Sequence, residues 1–301
     1  MDNDLKIKKY CAGMYRKIRL KLDYLGMDLQ TEAEGNRIIG QALQSDAPFM
    51  VGRFGAVEMR CVHKWMNKQP YSKQEREQAL YAAGIFPNDD ATLDRFCEIY
   101  TASMDKCDCL GVWEVTGEKK AIQKYIPNAK LFPARSIEPY YHEQPWSAYL
   151  KGKKVLIVHP FVGTIRRQID HKDRIWTNHD ILPEFQSVKF VKAVQSNAGA
   201  KPIQKDWFEA LEFMMEEISK QDFDVAIIGA GAYGFPLATY IKSLGKQAIQ
   251  MSGATQILFG IKGKRWDTHP IISTFYNQYW TRPSESETPA STQKVEGGSY
   301  W

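Results

Sequence analysis

DVAIIGAGAYGFPLATYIKSLGKQAIQMSGA, residues 224–254, is the stretch on which the fold turns. Residues 224–229 carry a run of apolar side chains and read as a strand buried on both faces. Gly229-Ala230-Gly231-Ala232-Tyr233-Gly234 then turns the chain into a helix over 235–244, and 247–251 reads as the next strand. Strand, helix and strand joined by short loops imply a parallel sheet with right-handed crossovers.

The same alternation extends upstream. Residues 153–158 (KKVLIV) and 188–194 are strand candidates, with an amphipathic helix at 207–220 carrying Phe208, Leu211, Met215 and Ile218. Earlier still, 49–54, 109–113 and 130–134 read as short strands, and 73–83 and 90–104 as helices. A helix over 29–43 opens at Thr31, with Glu34 three residues on in capping-box position. Val57, Cys61, Val62 and Trp65 share one face of a further helix. The expected fold is α/β: a predominantly parallel, doubly wound, Rossmann-like sheet with helices on both faces, forming one domain over residues 28–282. The polar, Pro/Ser/Thr-rich residues 283–301 are expected to be a disordered tail.

Composition excludes several classes. The chain has 301 residues, 44% hydrophobic and 25% charged, so it can bury a full core without disulfides or structural metal. No apolar run reaches the roughly 18 residues of a spanning helix, and the N-terminus lacks the apolar stretch of a secretory signal. Cys11, Cys61, Cys97, Cys107 and Cys109 are an odd set without zinc-site spacing, read as reduced thiols of a cytoplasmic protein. Seven cations and two aspartates within residues 1–21 account for the whole formal charge of +5. Ile7, Cys11, Met14, Ile18 and Leu22 form an apolar stripe among them, so residues 1–27 are expected to be a basic amphipathic helix. Such a helix either packs on its own domain with a solvated basic face or lies, through residues 1–25, on the inner face of a membrane. Nucleic acid is not an expected partner, because no basic residues interleave with aromatics elsewhere.

The glycine-rich turn has the context of a phosphate-binding turn: it leaves a strand and opens a helix. A dinucleotide site also needs an acid at the end of the next strand, about 20 residues on, and that place holds Gln250-Met251-Ser252-Gly253. A nucleotide-sugar phosphate is therefore preferred, with Gly229, Gly231, Tyr233, Gly234, Gly253 and Thr255 as candidate contacts. An NAD(P)-dependent oxidoreductase and a non-catalytic nucleotide-binding module are the alternatives that use the same turn. Lys262, Lys264 and Arg265 lie nearby and could neutralise a diphosphate. His159 ends a buried strand and is a candidate base, with Arg166 and Arg167 just beyond as candidate phosphate cations. Glu114, Glu138 and His142 are further candidate bases. The nucleophile elbow and the Walker lysine motif are both absent.

A second strand-to-helix turn, Arg53-Phe54-Gly55-Ala56-Val57-Glu58, resembles the Arg-x-Gly-Asp-x-Glu signature of the GT-D-type glycosyltransferases. The late strand–turn–helix–strand unit is similar to theirs too, and the likeness spans roughly residues 30–270. That family transfers sugars from nucleotide donors in bacterial surface-glycan assembly, so the resemblance implies a nucleotide-sugar donor and a polysaccharide or lipid-linked glycan acceptor. It also implies that Arg53 and Gly55 line the donor site and that Glu58 is catalytic. In the family the Asp-x-Glu element is associated with metal and diphosphate. Ala56 stands at the Asp position here, which leaves Glu58 the sole candidate ligand and no requirement for Mg²⁺ or Mn²⁺ expected.

Overall fold

The computed structural model describes residues 22–294 and 297–301. Seven strands form one sheet: β1 (Phe49–Gly52), β2 (Cys109–Val112), β3 (Lys130–Pro133), β4 (Lys154–His159), β5 (Ser187–Lys192), β6 (Val225–Ile228) and β7 (Gln247–Gln250). Their order is β3-β2-β1-β7-β6-β4-β5, and every ladder is parallel. β1 and β6 are buried along their whole length, which is why they read as unbroken apolar runs rather than as alternation; β7 is equally buried, with Gln247 and Gln250 at its ends hydrogen-bonded to main chain.

Handedness decides which face each helix covers. The steps β1→β2, β2→β3, β5→β6 and β6→β7 all run toward the β3 edge. Their connecting helices are α2 (Ala56–Met66), α3 (Asp90–Ala102), α4 (Glu118–Tyr125), α6 (Trp207–Ser219) and α7 (Gly234–Ser243). These share one apolar cluster, with Val62, Phe96, Ile122, Leu211 and Leu237 among its members. The steps β3→β4 and β4→β5 run the other way, through short 3₁₀ turns over 134–150 and through α5 (Val162–Ile169). Ile137, Trp146 and Ile165 from these connections join the opposite cluster, with Ile39 and Leu43 of α1 (Glu32–Gln44). A right-handed crossover can only put helices from opposite steps on opposite faces, so the doubly wound form follows from the strand order.

Local signals account for most element ends. Thr31 caps α1 by accepting from the Glu34 N–H, but the Glu34 carboxylate pairs with Arg37, so only half of the expected capping box forms. The helix expected over 73–83 divides into an α-helix, Lys73–Gln78, and a π-turn, Ala79–Ala83, ended by left-handed Gly84. Cys61, Cys97, Cys107 and Cys109 are buried free thiols. The basic N-terminal helix falls outside the described residues except for 22–27. Among the described residues, no helix is long and apolar enough to cross a membrane.

The sequence reading expects a loose tail at 283–301, and the structure differs. The Glu287 carboxylate is buried at the start of α5, accepting from the Gly163 N–H at 2.7 Å, the Ser284 hydroxyl at 2.8 Å, and the Thr164 N–H and hydroxyl. The Trp301 indole N–H donates to the Glu287 carbonyl, while the Lys264 N–H donates to the Trp301 carbonyl. A few well-placed anchors hold a stretch whose average composition is that of a solvated chain. Burial pushes the Glu287 carboxyl upward, yet the hydroxyls and N–H groups around it outweigh that and hold it below its usual range.

Candidate active site

A cavity of about 570 Å³ lies over the carboxyl ends of the strands, and residues following or ending all seven of them line it. Beneath it, neighbouring strands send their chains to opposite faces: β1 exits to α2 on one face while its neighbour β7 exits to the other, and the same divergence separates β6 from β4. Open α/β sheets bind ligands at such points. The cations Arg53, Arg135 and Arg265 face two carboxylates, Glu58 and Glu138, across the lining, so the cleft tilts positive.

Arg53 leaves β1 with its backbone N–H donating to Gln250 Oε1 at 2.8 Å, which ties β1 to the end of β7. Its guanidinium pairs with Glu138 at 3.0 Å and lies 5.4 Å from the Trp113 ring centroid. Trp113 is fixed in turn, since its indole N–H donates to the Phe54 carbonyl at 2.7 Å. Glu138 also accepts from the Tyr140 hydroxyl at 3.0 Å. Arg53 is thus a held cation, oriented before any ligand arrives. The other candidate base of this region, His142, donates its Nε2–H to the Arg135 carbonyl and is not among the cavity-lining residues.

Glu58 is the third residue of α2, and its carboxyl group folds back over Gly55, where a Cβ would collide with it. Burial raises its pKa, while the N–H groups of Glu58 and Val57 and the cations Arg60 and Arg53 act the other way. The geometry does not suit a divalent ion. Ala56 offers a methyl group, Glu138 is engaged by Arg53, and among the described residues no cluster of three acidic, His or Cys side chains could hold a metal.

His159 ends β4 and is buried. Its Nδ1 accepts the Phe161 N–H at 3.0 Å, and burial pushes its pKa down to about 3. The ring is therefore neutral with its proton on Nε2. It is a hydrogen-bond donor at this site and has no spare lone pair for base work. Gly229 is bare for the sake of this histidine: a Cβ there would lie 2.5 Å from His159 Cδ2 and 2.7 Å from Thr255 Oγ1. Gly229→Ala should cost about 1–3 kcal/mol by overpacking, read as a lower denaturation midpoint. An unchanged midpoint would show that the contact relaxes freely. Gly231, by contrast, has φ +53° with only the Ala83 carbonyl within 4 Å of its missing Cβ, and it opens toward the cavity.

Neither a protein-family model nor a curated protein sequence matches the chain. One solved structure is similar to it: "A New Glycosyltransferase (DUF1792) from Streptococcus sanguinis". The two share 11% sequence identity over 88% of this chain and 97% of that one, with a TM-score of 0.45.

The cavity brings together Arg53, Gly55, Glu58, Glu138, His159, Gly229, Gly231, Gly253 and Arg265 from the sequence reading. Others lie elsewhere. Arg166 sits 4.4 Å over the Phe190 ring on the edge strand, and Arg167 donates to the Thr164 hydroxyl. Lys262 lies over Tyr276, and Lys264 donates to the Gly297 carbonyl, so of that basic run only Arg265 reaches the cleft. Tyr233 is stacked on Trp207 with its hydroxyl on Ser196 at 2.8 Å, serving the core. Thr255 donates to the Ile228 carbonyl, and the missing Cβ of Gly234 leaves room for Gln250. Glu114 and His142 do not line the cavity. Trp113, Arg135, Tyr141, Gln195, Asn197, Trp266, His269, Tyr300 and Trp301 line the cavity without being marked by any sequence motif. Their positions in loops after strands were the one available signal.

Proposed function

We propose that this protein is a glycosyltransferase that moves a sugar from a nucleotide-sugar donor to a hydroxyl of a glycan or lipid-linked acceptor. The observation that carries this reading is the meeting of two turns, Arg53–Glu58 and Gly229–Gly231, in one positively tilted cleft where neighbouring strands exit to opposite faces. A nucleotide diphosphate suits that position, because parallel strand ends and cations both favour anions. No acid ends β7 to grip a ribose diol, which disfavours the dinucleotide alternative.

In the proposed reaction the acceptor hydroxyl oxygen bonds to the anomeric carbon, and the bond from that carbon to the diphosphate oxygen breaks. The bonding pair leaves on the diphosphate, where Arg53 and Arg265 offset the developing charge. The hydroxyl proton passes to Glu58, whose raised pKa makes it the better base of the two carboxylates that line the cleft and the one not paired with an arginine. His159 contributes through its Nε2–H as a neutral donor. No step calls for a metal ion.

Titration of UDP, GDP, their sugar conjugates and NAD against the protein tests this. A nucleotide that binds the native state at 100 times its Kd adds about 2.7 kcal/mol of stability. Thermal stabilisation by one nucleoside diphosphate and its sugar conjugate is expected. Stabilisation by NAD alone, or by none of these, would overturn the proposal.

A further inference from the structure

The tail contributes more than packing. The Tyr300 ring covers Gly253 at the end of β7, where a Cβ would lie 2.5 Å from Tyr300 Cε1. Tyr300 meets Trp266 edge-on with centroids 6.1 Å apart and Trp301 at 6.0 Å, and Trp301 meets Phe161 at 6.2 Å. The Arg265 guanidinium lies 4.6 Å from the Tyr300 centroid. These residues all line the cavity. The wall is tied through main chain as well, since the Arg265 N–H donates to the Ser299 carbonyl and the Lys264 N–H to that of Trp301.

The arrangement of the rings indicates what they hold. Interplanar angles of 70°, 85° and 66° make a corner of rings meeting edge to face, not two parallel plates. A flat base wants a slot. A pyranose chair has thickness, a face of polarised C–H bonds and a rim of hydroxyls. Its C–H face suits the negative face of an aromatic ring, and its rim needs polar groups alongside, as Arg265 provides. We propose that Tyr300 and Trp301, backed by the buried rings of Phe161 and Trp266 and with Arg265 alongside, form the acceptor subsite and hold a pyranose residue of the acceptor glycan against the tail. This rests on the transferase reading above.

Full-chain protein on an array of immobilised pyranose glycans, with nucleotide thermal shifts measured in parallel, tests the assignment. Wild-type protein should bind a subset of the glycans. The double variant Tyr300→Ala/Trp301→Ala should lose at least tenfold in that binding while keeping the nucleotide shift. Tyr300→Leu keeps apolar volume without a ring and should weaken glycan binding in the same direction, whereas Tyr300→Phe should retain it, which separates ring chemistry from misfolding. Absence of glycan binding by the wild type, or undiminished binding by the double variant, overturns the proposal. Loss of the nucleotide shift with glycan binding retained also overturns it, by giving the wall to the base of the donor. Glycan binding that depends on the rings, in a protein that no nucleotide stabilises, supports the subsite while sinking the transferase reading.

Discussion

Replacing Glu58 by glutamine should lower turnover by at least about 10²-fold while leaving nucleotide affinity within about threefold. Glutamine keeps the length and an acceptor oxygen for the N–H groups of Val57 and Glu58, so α2 keeps its start. What it loses is the ability to take a proton. The raised pKa sets the pH dependence. Wild-type turnover should fall as pH drops through that raised value, because the base becomes protonated, and the residual activity of the variant should be flat over the same range. Stability should change little, since a charge in the first helical turn contributes about 0.3–1 kcal/mol and this one is penalised by burial. Full turnover in Glu58→Gln would remove Glu58 from the mechanism and leave the cleft without an unpaired base among its described acidic residues.

Glu118→Gln should remove a pH dependence of stability of about 3 kcal/mol between pH 5 and 8. Glu118 opens α4 and is 1% exposed. One of its oxygens, Oε2, accepts from the Tyr24 hydroxyl, from the Trp113 N–H at 3.2 Å and from the Glu114 N–H at 2.8 Å. The other, Oε1, is buried without a partner among the described residues. Burial pushes the carboxyl up from 4.5 to about 7, against these hydrogen bonds. Between those two values the native state binds the proton and the unfolded chain does not. The contribution is therefore fully present below about pH 4.5 and lost as pH rises to about 7. Glutamine can place its oxygen at Oε2 and its amide at Oε1, preserving all three accepted bonds without a charge. Denaturant midpoints at pH 5 and pH 8 should converge in the variant and diverge in the wild type. Equal slopes in both proteins would show that Glu118 does not titrate in this range.

The sheet was largely legible because its central strands are short and buried on both faces, and β1, β4 and β6 appear in the sequence as apolar runs such as FMVG and VLIV. The edge strand β5, SVKFVK, is half-exposed and reads instead by its alternation of apolar and polar residues. Two helices, α4 and α5, escaped because they are eight residues each and their stripes are brief. Half of the candidate site was readable, since a turn that leaves a parallel strand must open on the carboxyl rim. The Arg53–Glu138 pair was not, because its partners are 85 residues apart and the loop between β3 and β4 has no period to anchor a reading. His159 lines the cavity as a neutral donor and not as the base that its residue type suggests. Sequence shows an imidazole at a strand end, but only the Phe161 N–H on Nδ1 fixes which nitrogen keeps the proton. Composition misled most at the tail, where averages over serine, threonine and proline concealed Glu287, Tyr300 and Trp301.

The sheet closes at Gln250, whereas Tyr300 and Trp301 arrive much later in synthesis. A nascent chain can therefore complete its core before it completes its cleft, as expected for folding that proceeds from the N-terminal side. Loss of Tyr300 and Trp301 would leave every strand in place and the cleft open along one side. A measure of secondary structure would then be blind to such damage, and a measurement of what the cleft holds would register it.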